Sequence, residues 1–180
     1  KNKVTVSGDI NYRRNLWQYG KKVEQVMPAL IEGTNYVLGG STDIDNSTGI
    51  KEKSFEDTCN KFMKAFPSVQ KVARTKRESV SSSHNRIYGV LYDGKRSYKS
   101  RTYELTHIVD RVGAGDAFMA GWIYSALKKM GEEEAIEFAR KTAEYQSDYS
   151  DRLEESDIEG WDYYARWSEE GDCIWVIEKE

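Results

Sequence analysis

The sequence predicts an α/β fold of three layers: a doubly wound, mostly parallel sheet with helices on both faces and one β-hairpin. Three observations carry this expectation. Short β-type runs alternate with stretches whose apolar residues recur at helical spacing, the order that gives a parallel sheet with crossover helices. Asp93-Gly94 separates two β-type runs, as in a tight hairpin. The 180 residues carry no internal repeat or low-complexity linker, so residues 1–180 read as a single domain long enough to bury a core.

In chain order, Lys3 to Ser7 reads as a strand through Val4 and Val6, ended by Gly8-Asp9. Lys21 to Glu32 places Val23, Val26, Met27, Leu30 and Ile31 on one helical face, with Pro28 kinking or restarting the helix and Gly33 capping it. Asn35 to Leu38 is a short apolar strand that runs into Gly39-Gly40-Ser41-Thr42-Asp43. Ser54-x-x-Asp57 is a capping box for a helix bearing Phe55, Cys59, Phe62, Met63 and Phe66, which Pro67-Ser68 stops. Val69 to Arg74 is the next strand and leads to Thr75-Lys76-Arg77, followed by the polar stretch Ser79 to Asn85. Arg86 to Tyr92 and Lys95 to Tyr103 form the hairpin, with Asp93-Gly94 as a type I′ turn.

Val109 to Trp122 is the stretch that speaks to function. Gly113, Ala114 and Gly115 are small enough for backbone to approach a charged ligand, and they feed a helix bearing Phe118, Trp122, Ile123, Ala126, Leu127 and Met130. Such a turn points unbonded N–H groups and the positive end of the helix dipole at one spot, which makes an anion site. Asp116 falls in the first helical turn beside that spot. A carboxylate there suits a base that takes the proton of an attacking hydroxyl; otherwise it is a favourable first-turn charge.

Beyond this helix, Gly131 reads as its cap, and Glu132-Glu133-Glu134 open another helix with Ala135, Phe138, Ala139 and Thr142 inside. Residues 142–180 read as a helix–helix–strand tail. Ser156-x-x-Glu159 caps a helix carrying Ile158, Trp161 and Ala165, and Cys173 to Ile177 is a continuous apolar strand of the buried type. Tail aromatics such as Tyr145, Trp161 and Trp175 read either as a core face of closing helices or as a surface for packing or a partner.

Composition narrows the partners. A net charge of −3 and a pI near 5.6 argue against nucleic-acid and membrane binding, and no apolar run is long enough to span a bilayer. Cys59 and Cys173 give no disulfide framework, and His84 and His107 fall in different elements, so no metal site is expected. The cytoplasm is the expected location. No signal peptide is visible, and the chain opens on Lys1 rather than Met, which leaves room for an upstream segment.

Asp110-Arg111-Val112-Gly113-Ala114-Gly115-Asp116-Ala117-Phe118 resembles the second signature of the ribokinase-like (PfkB) sugar kinases. The arginine variant, preceded by His107-Ile108-Val109, is most similar to 2-keto-3-deoxygluconate kinases. The resemblance implies a Rossmann-like, ribokinase-type fold, with the Gly113-Ala114-Gly115 turn as anion hole and Asp116 as catalytic base. Val4 to Trp17 resembles the family's strand and loop between nucleotide and sugar acid, which implies substrate-binding roles for Arg13 and Asn11, and Arg111 of the signature is expected to share that role. Arg13 otherwise reads as a solvated loop charge. Lys76 and Arg77 match a strand end near the nucleotide, where they either contact phosphate or remain surface charges.

The resemblance runs from about Lys3 to Ala139, with residues 1–141 taken as the nucleotide-binding part. Gly40 and Ser41 stand where the family shows an Asn-Glu pair that organises magnesium and phosphate, and Asp43 and Asp45 lie nearby but displaced. The family's first glycine signature and sugar-binding half have no counterpart here, and the opening strand matches one near the middle of the family's chain. Three functional expectations follow. One is a truncated or engineered kinase derivative that keeps a phosphate or nucleotide site and has lost turnover. Another is an active sugar-acid kinase using ATP with Mg2+, completed by another subunit or a missing segment. The last is a designed scaffold or partner-binding protein without cofactor. A homodimer is the expected assembly.

Overall fold

The computed structural model describes residues 4–79, 84–105, 113–148, 163–167 and 173–177. β1 (Ser7–Asp9), β2 (Tyr36–Leu38) and β3 (Lys71–Ser79) are parallel neighbours, in register at Asp9↔Leu38 and Leu38↔Ala73. β4 (Asn85–Tyr92) is antiparallel to β3, and β5 (Ser97–Lys99) and β6 (Tyr103–Leu105) are both antiparallel to β4. Five of the six strands in this sheet therefore run one way, with β4 reversed.

Alternating side chains bury both faces of the sheet. Val37, Val72 and Tyr92 pack with Ile31, Ile44, Phe55, Cys59 and Phe62, so α1 (Met27–Ile31), α2 (Ser41–Thr48) and α3 (Phe55–Ala65) cover one face. Leu38, Ala73 and Leu91 point the other way, toward Phe118, Trp122, Ile136 and Ala139 of α4 (Ala114–Leu127) and α5 (Glu132–Asp148). Period-two alternation with apolar residues at both phases is what a sheet between two helical layers requires. The three-layer, mostly parallel arrangement is the one the sequence predicts.

Several local expectations hold. Ser54 Oγ accepts the Asp57 N–H at 3.0 Å and caps α3. Pro28 restarts the chain: a 3-10 turn at Val23–Gln25 precedes it, and it lies in the first turn of α1, where its missing N–H goes unused.

Others are corrected. The chain leaves α1 through Glu32 in the right-handed region, and Gly33 is not among the positive-φ residues, so it makes no left-handed cap. α2 was not foreseen, because Ile44 is its one buried apolar residue. β3 extends five residues past Arg74, since the β4 ladder pairs Thr75 through Ser79 despite their polarity. The hairpin loop spans residues 93–96 rather than two, and only Gly94 has positive φ (87°), whereas type I′ needs two such residues. Asp93 Oδ1 instead accepts the Lys95 and Arg96 N–H groups. Gly131 does not end α4; its carbonyl accepts Ala135 N–H and starts α5. Finally, Ala165 lies not in a helix but in β7 (Tyr163–Trp167), antiparallel to β8 (Cys173–Ile177) from Tyr163↔Ile177 to Trp167↔Cys173. Ile158 and Trp161 fall outside the described residues.

Candidate phosphate-binding site

α4 begins at Gly113, whose φ of 85° is in the left-handed region that favours glycine, and no side chain caps the helix. The first helical bond runs from Ala117 N–H to Gly113 C=O at 2.8 Å. The amides of Ala114, Gly115 and Asp116 therefore precede the ladder, and among the described residues no acceptor takes them up. Among the described residues, a Cβ on Gly115 of this turn would meet nothing within 4 Å. Ala114 is buried beneath it, and Asp116 is exposed beside it.

Packing fixes where this turn points. Phe118 and Trp122 are fully buried against Leu38, Ala73 and Leu91. Gly89 on β4 lets α4 settle, because a Cβ there would stand 2.8 Å from Phe118 Cε2. Behind α4, Gly121 brings α5 equally close, and the Trp122 ring stacks on Tyr36 at 5.2 Å.

A second group gathers at the carboxyl end of β1. Asp9 Oδ1 accepts Asn11 N–H at 3.0 Å. Asp43 Oδ2 accepts Gly40 N–H at 2.9 Å, while its Oδ1 accepts Tyr12 N–H at 3.2 Å, tying the loop after β1 to the start of α2. Partial desolvation pushes the Asp9 carboxyl above its ordinary 3.8 against the Asn11 bond; the charges of Asp116 and Asp43 push it further, and Arg13 opposes them. Asp9, Asp43, Asp116 and Arg13 thus share one neighbourhood, at the strand ends where open α/β sheets receive ligands.

With this geometry in place, the chain matches the pfkB family carbohydrate kinase model over residues 1–147. The chain belongs to the PfkB carbohydrate kinase family. A 5-dehydro-2-deoxygluconokinase of Clostridium botulinum (strain Alaska E43 / Type E3) is 26% identical over 145 residues, covering 79% of this chain and 40% of the relative. Among solved structures, a 2-dehydro-3-deoxygluconokinase from Thermotoga maritima superposes with a TM-score of 0.75 at 29% identity, covering 82% of this chain and 46% of that one. A PfkB family carbohydrate kinase from Listeria grayi gives 0.73 at 27% identity, with 82% and 45% covered. The chain spans less than half the length of these relatives.

Against the PfkB expectations, the predicted residues divide. Gly113, Ala114, Gly115 and Asp116 share the α4 turn, and Arg13 and Asn11 lie exposed in the loop after β1. Lys76 and Arg77 lie inside β3, paired with Tyr88 and Ile87, rather than in a loop after it. Strand alternation turns them to opposite faces: Lys76 shares a face with Arg74, which lies over Phe55 of α3, and pairs with Glu78 at 3.7 Å. Arg77 shares the α4 face with Ala73. Arg111 falls outside the described residues.

Sequence reasoning passed over two carboxylates. By sequence Asp9 is only a strand end, and Asp43 is displaced from the family's Asn-Glu position. Gly40-x-x-Asp43 at a helix start was the available signal, since an acidic third residue returns to the N-cap amide. Asp45 instead pairs with Lys51 at 3.1 Å. No group of three or more potential ligands forms a metal cage among the described residues, and none of their helices is long and apolar enough to cross a membrane.

Proposed function

We propose that this chain binds the phosphates of a nucleotide at the α4 turn, with Asp116 as the general base for phosphoryl transfer to a sugar-acid hydroxyl. One observation carries the reading: α4 starts from an uncapped left-handed glycine, leaving three amides ahead of its hydrogen-bond ladder with a carboxylate in the first turn. Those amides and the helix dipole suit a phosphoryl group's negative oxygens. Asp116 is exposed and one helical turn from the N-cap, within reach of a hydroxyl brought to that phosphoryl group. Arg13, with Asn11 and Arg111, is assigned to the acceptor's carboxylate.

The donor set also fits a hard cation that accompanies the nucleotide. Asp9, Asp43 and Asp116 offer carboxylate oxygens without forming a cage, and magnesium characteristically takes one or two carboxylates, keeping waters and phosphate oxygens for the rest. Such an ion would neutralise charge on the transferring group. Turnover also requires the acceptor hydroxyl to be held in line, because phosphoryl transfer depends on positioning as much as on the base. More than half of each relative lies outside the part this chain spans. We therefore assign the chain nucleotide binding without appreciable turnover on its own.

Calorimetry with magnesium-ATP tests this reading. Binding is expected, and it is expected to disappear in Gly115→Phe, whose ring fills the open side of the turn. Absence of binding in the parent overturns the assignment. A coupled ADP-release assay with 2-keto-3-deoxygluconate tests the second half. Turnover that Asp116→Asn abolishes would overturn the loss of catalysis while upholding the role of the base.

A further inference from the structure

Asn85 opens β4 and is 1% exposed, yet its Nδ2 has no hydrogen-bond partner among the described residues. Its Oδ1 is occupied, accepting the Ser79 hydroxyl at 2.8 Å from the facing residue of β3. A buried amide with one half unmet is uncommon and costly. Strand alternation sets its face: Asn85 and Ile87 look the same way as Gly89 and Leu91, toward α4 and α5. Arg77 and Ser79 of β3 join them there, and Arg77, which faces Ile87, is the diagonal neighbour of Asn85.

The helices set Asn85 at the same end as the α4 turn. α5 crosses Gly89 at Ile136, whose Cδ1 is 2.9 Å from where a Gly89 Cβ would stand, and then carries Arg140 over the Tyr103 ring at 5.6 Å. Tyr103 is the β6 partner of Ile87, so α5 advances along β4 toward Asn85. Gly89 to Asn85 is about 13 Å of strand, and Ile136 to Gln146 is about 15 Å of helix. The end of α5, where Gln146 borders Gly113, thus reaches the level of Asn85. α4 is antiparallel to α5, since Gly121 meets Ala139 and Thr142 while Gly113 meets Gln146. Its first amides point back along the axis, away from Trp122 and toward the end of the sheet that Asn85 occupies.

We propose that Asn85 is a ligand-binding residue of this site, its Nδ2 donating from the sheet to a phosphate oxygen of the nucleotide held at the α4 turn. The proposal rests on the nucleotide-phosphate reading above. Ser79 is the positioning residue: its hydroxyl holds the Asn85 oxygen and so keeps the nitrogen, the half that a phosphate accepts from, free for the ligand. The phosphate then meets donors from two sides, the α4 amides and the strand end, and the unmet donor of the ligand-free chain finds its acceptor.

The test uses the full chain and magnesium-ATP, with melting temperature recorded for each variant without ligand. Asn85→Leu keeps the shape and removes the donor; ATP binding should weaken about tenfold or more, the range of a hydrogen bond to a charged group. Its melting temperature should not fall, because the unmet buried donor goes too. A purely structural Asn85 gives the reverse, a lower melting temperature with unchanged affinity. Ser79→Ala, at an exposed residue, leaves the donor in place but loosens it, and should weaken ATP binding about threefold. It decides the matter if Asn85→Leu fails to fold. ATP binding by the parent that the folded variants do not alter overturns this proposal alone. A parent that binds no ATP overturns the nucleotide reading and this proposal with it.

Discussion

Gly121→Ala is a sharp test of the packing that holds the site, because two effects of opposite sign meet at one atom. In an open helix, alanine in place of glycine stabilises by about 1 kcal/mol through propensity. Here the added Cβ would stand 2.1 Å from Thr142 Oγ1, 3.2 Å from Thr142 Cβ and 3.0 Å from Ala139 Cα. The Thr142 hydroxyl can rotate, although it then gives up its bonds to the Phe138 and Ala139 carbonyls at 2.9 and 3.1 Å. The Ala139 contact is with backbone and cannot rotate away. Carbon atoms rest about 3.5–4.0 Å apart, so α5 must withdraw by roughly 0.5 Å or more. Overpacking costs about 1–3 kcal/mol, and a clash that meets backbone as well as a hydroxyl belongs in the upper part of that range. About 2–3 kcal/mol less about 1 kcal/mol of propensity leaves a net loss of about 1–2 kcal/mol.

Urea and thermal denaturation read this directly, and the melting temperature should fall by about 2–8 °C. Thr142→Ala in the same chain removes the 2.1 Å contact but not the Ala139 contact. The double variant should therefore recover about 1 kcal/mol relative to Gly121→Ala, a coupling that distant sites would not show. If Gly121→Ala is as stable as the parent, or if Thr142→Ala fails to restore it, the close crossing of α4 and α5 is wrong.

Three further outcomes follow from other contacts. Burial favours a higher pKa for Glu137, but bonds from Arg140 and the Arg101 N–H, with both guanidinium charges, hold it below its ordinary 4.5. Its contribution is thus complete above pH 4.5 and lost as pH falls through the lower folded value; Glu137→Gln should cost about 2 kcal/mol at pH 7 and flatten that acid limb. Asp9 has the opposite sign: its carboxyl is held above 3.8, so the folded state disfavours its charge at neutral pH. Asp9→Asn should therefore raise the melting temperature at pH 7, and the gain should vanish below pH 3.8. Ser54→Ala removes the cap on Asp57 N–H and should cost about 1 kcal/mol, or about 3 °C in a thermal melt.

What the sequence made legible was whatever a short window determines. Ser54 and Asp57 are three residues apart, and their cap formed as read. The apolar spacing announced the α4 helix, although of its expected inner face Phe118 and Trp122 are buried while Ile123 and Leu127 are exposed. Asn35 to Leu38 and Val69 to Arg74 announced strands. What stayed hidden depends on partners distant in sequence. Thr75 to Ser79 have no apolar pattern of their own and are strand only because β4 pairs with them. Ala165 reads by local spacing as part of a helix, yet Tyr163–Trp167 finds a strand partner in Cys173–Ile177, and that pairing decides its state. The site divides in the same way. Gly113 to Asp116 are adjacent and could be read together, whereas Asp9 and Asp43 join them only once the order β1-β2-β3 sets three chain segments side by side.

That juxtaposition bears on the form in which a nucleotide arrives. A helix start alone favours any anion, free phosphate included. Here the same spot carries Asp116 and, within its field, Asp9 and Asp43, while Arg13 is the cation that acts on Asp9. Desolvation first, and then the charges of Asp116 and Asp43, raise the pKa of the Asp9 carboxyl, so further negative charge beside it is disfavoured. A bare polyphosphate would bring several more negative charges to it. On the proposed reading, a nucleotide arriving as its magnesium complex would offer the carboxylates a cation and the amides phosphate oxygens. ATP should consequently bind far more weakly in excess chelator than with magnesium, and Asp9→Asn should narrow the difference by removing part of the repulsion. Equal affinity with and without the cation would mean that the carboxylates lie outside the site, and would leave the α4 turn as a simple anion cradle.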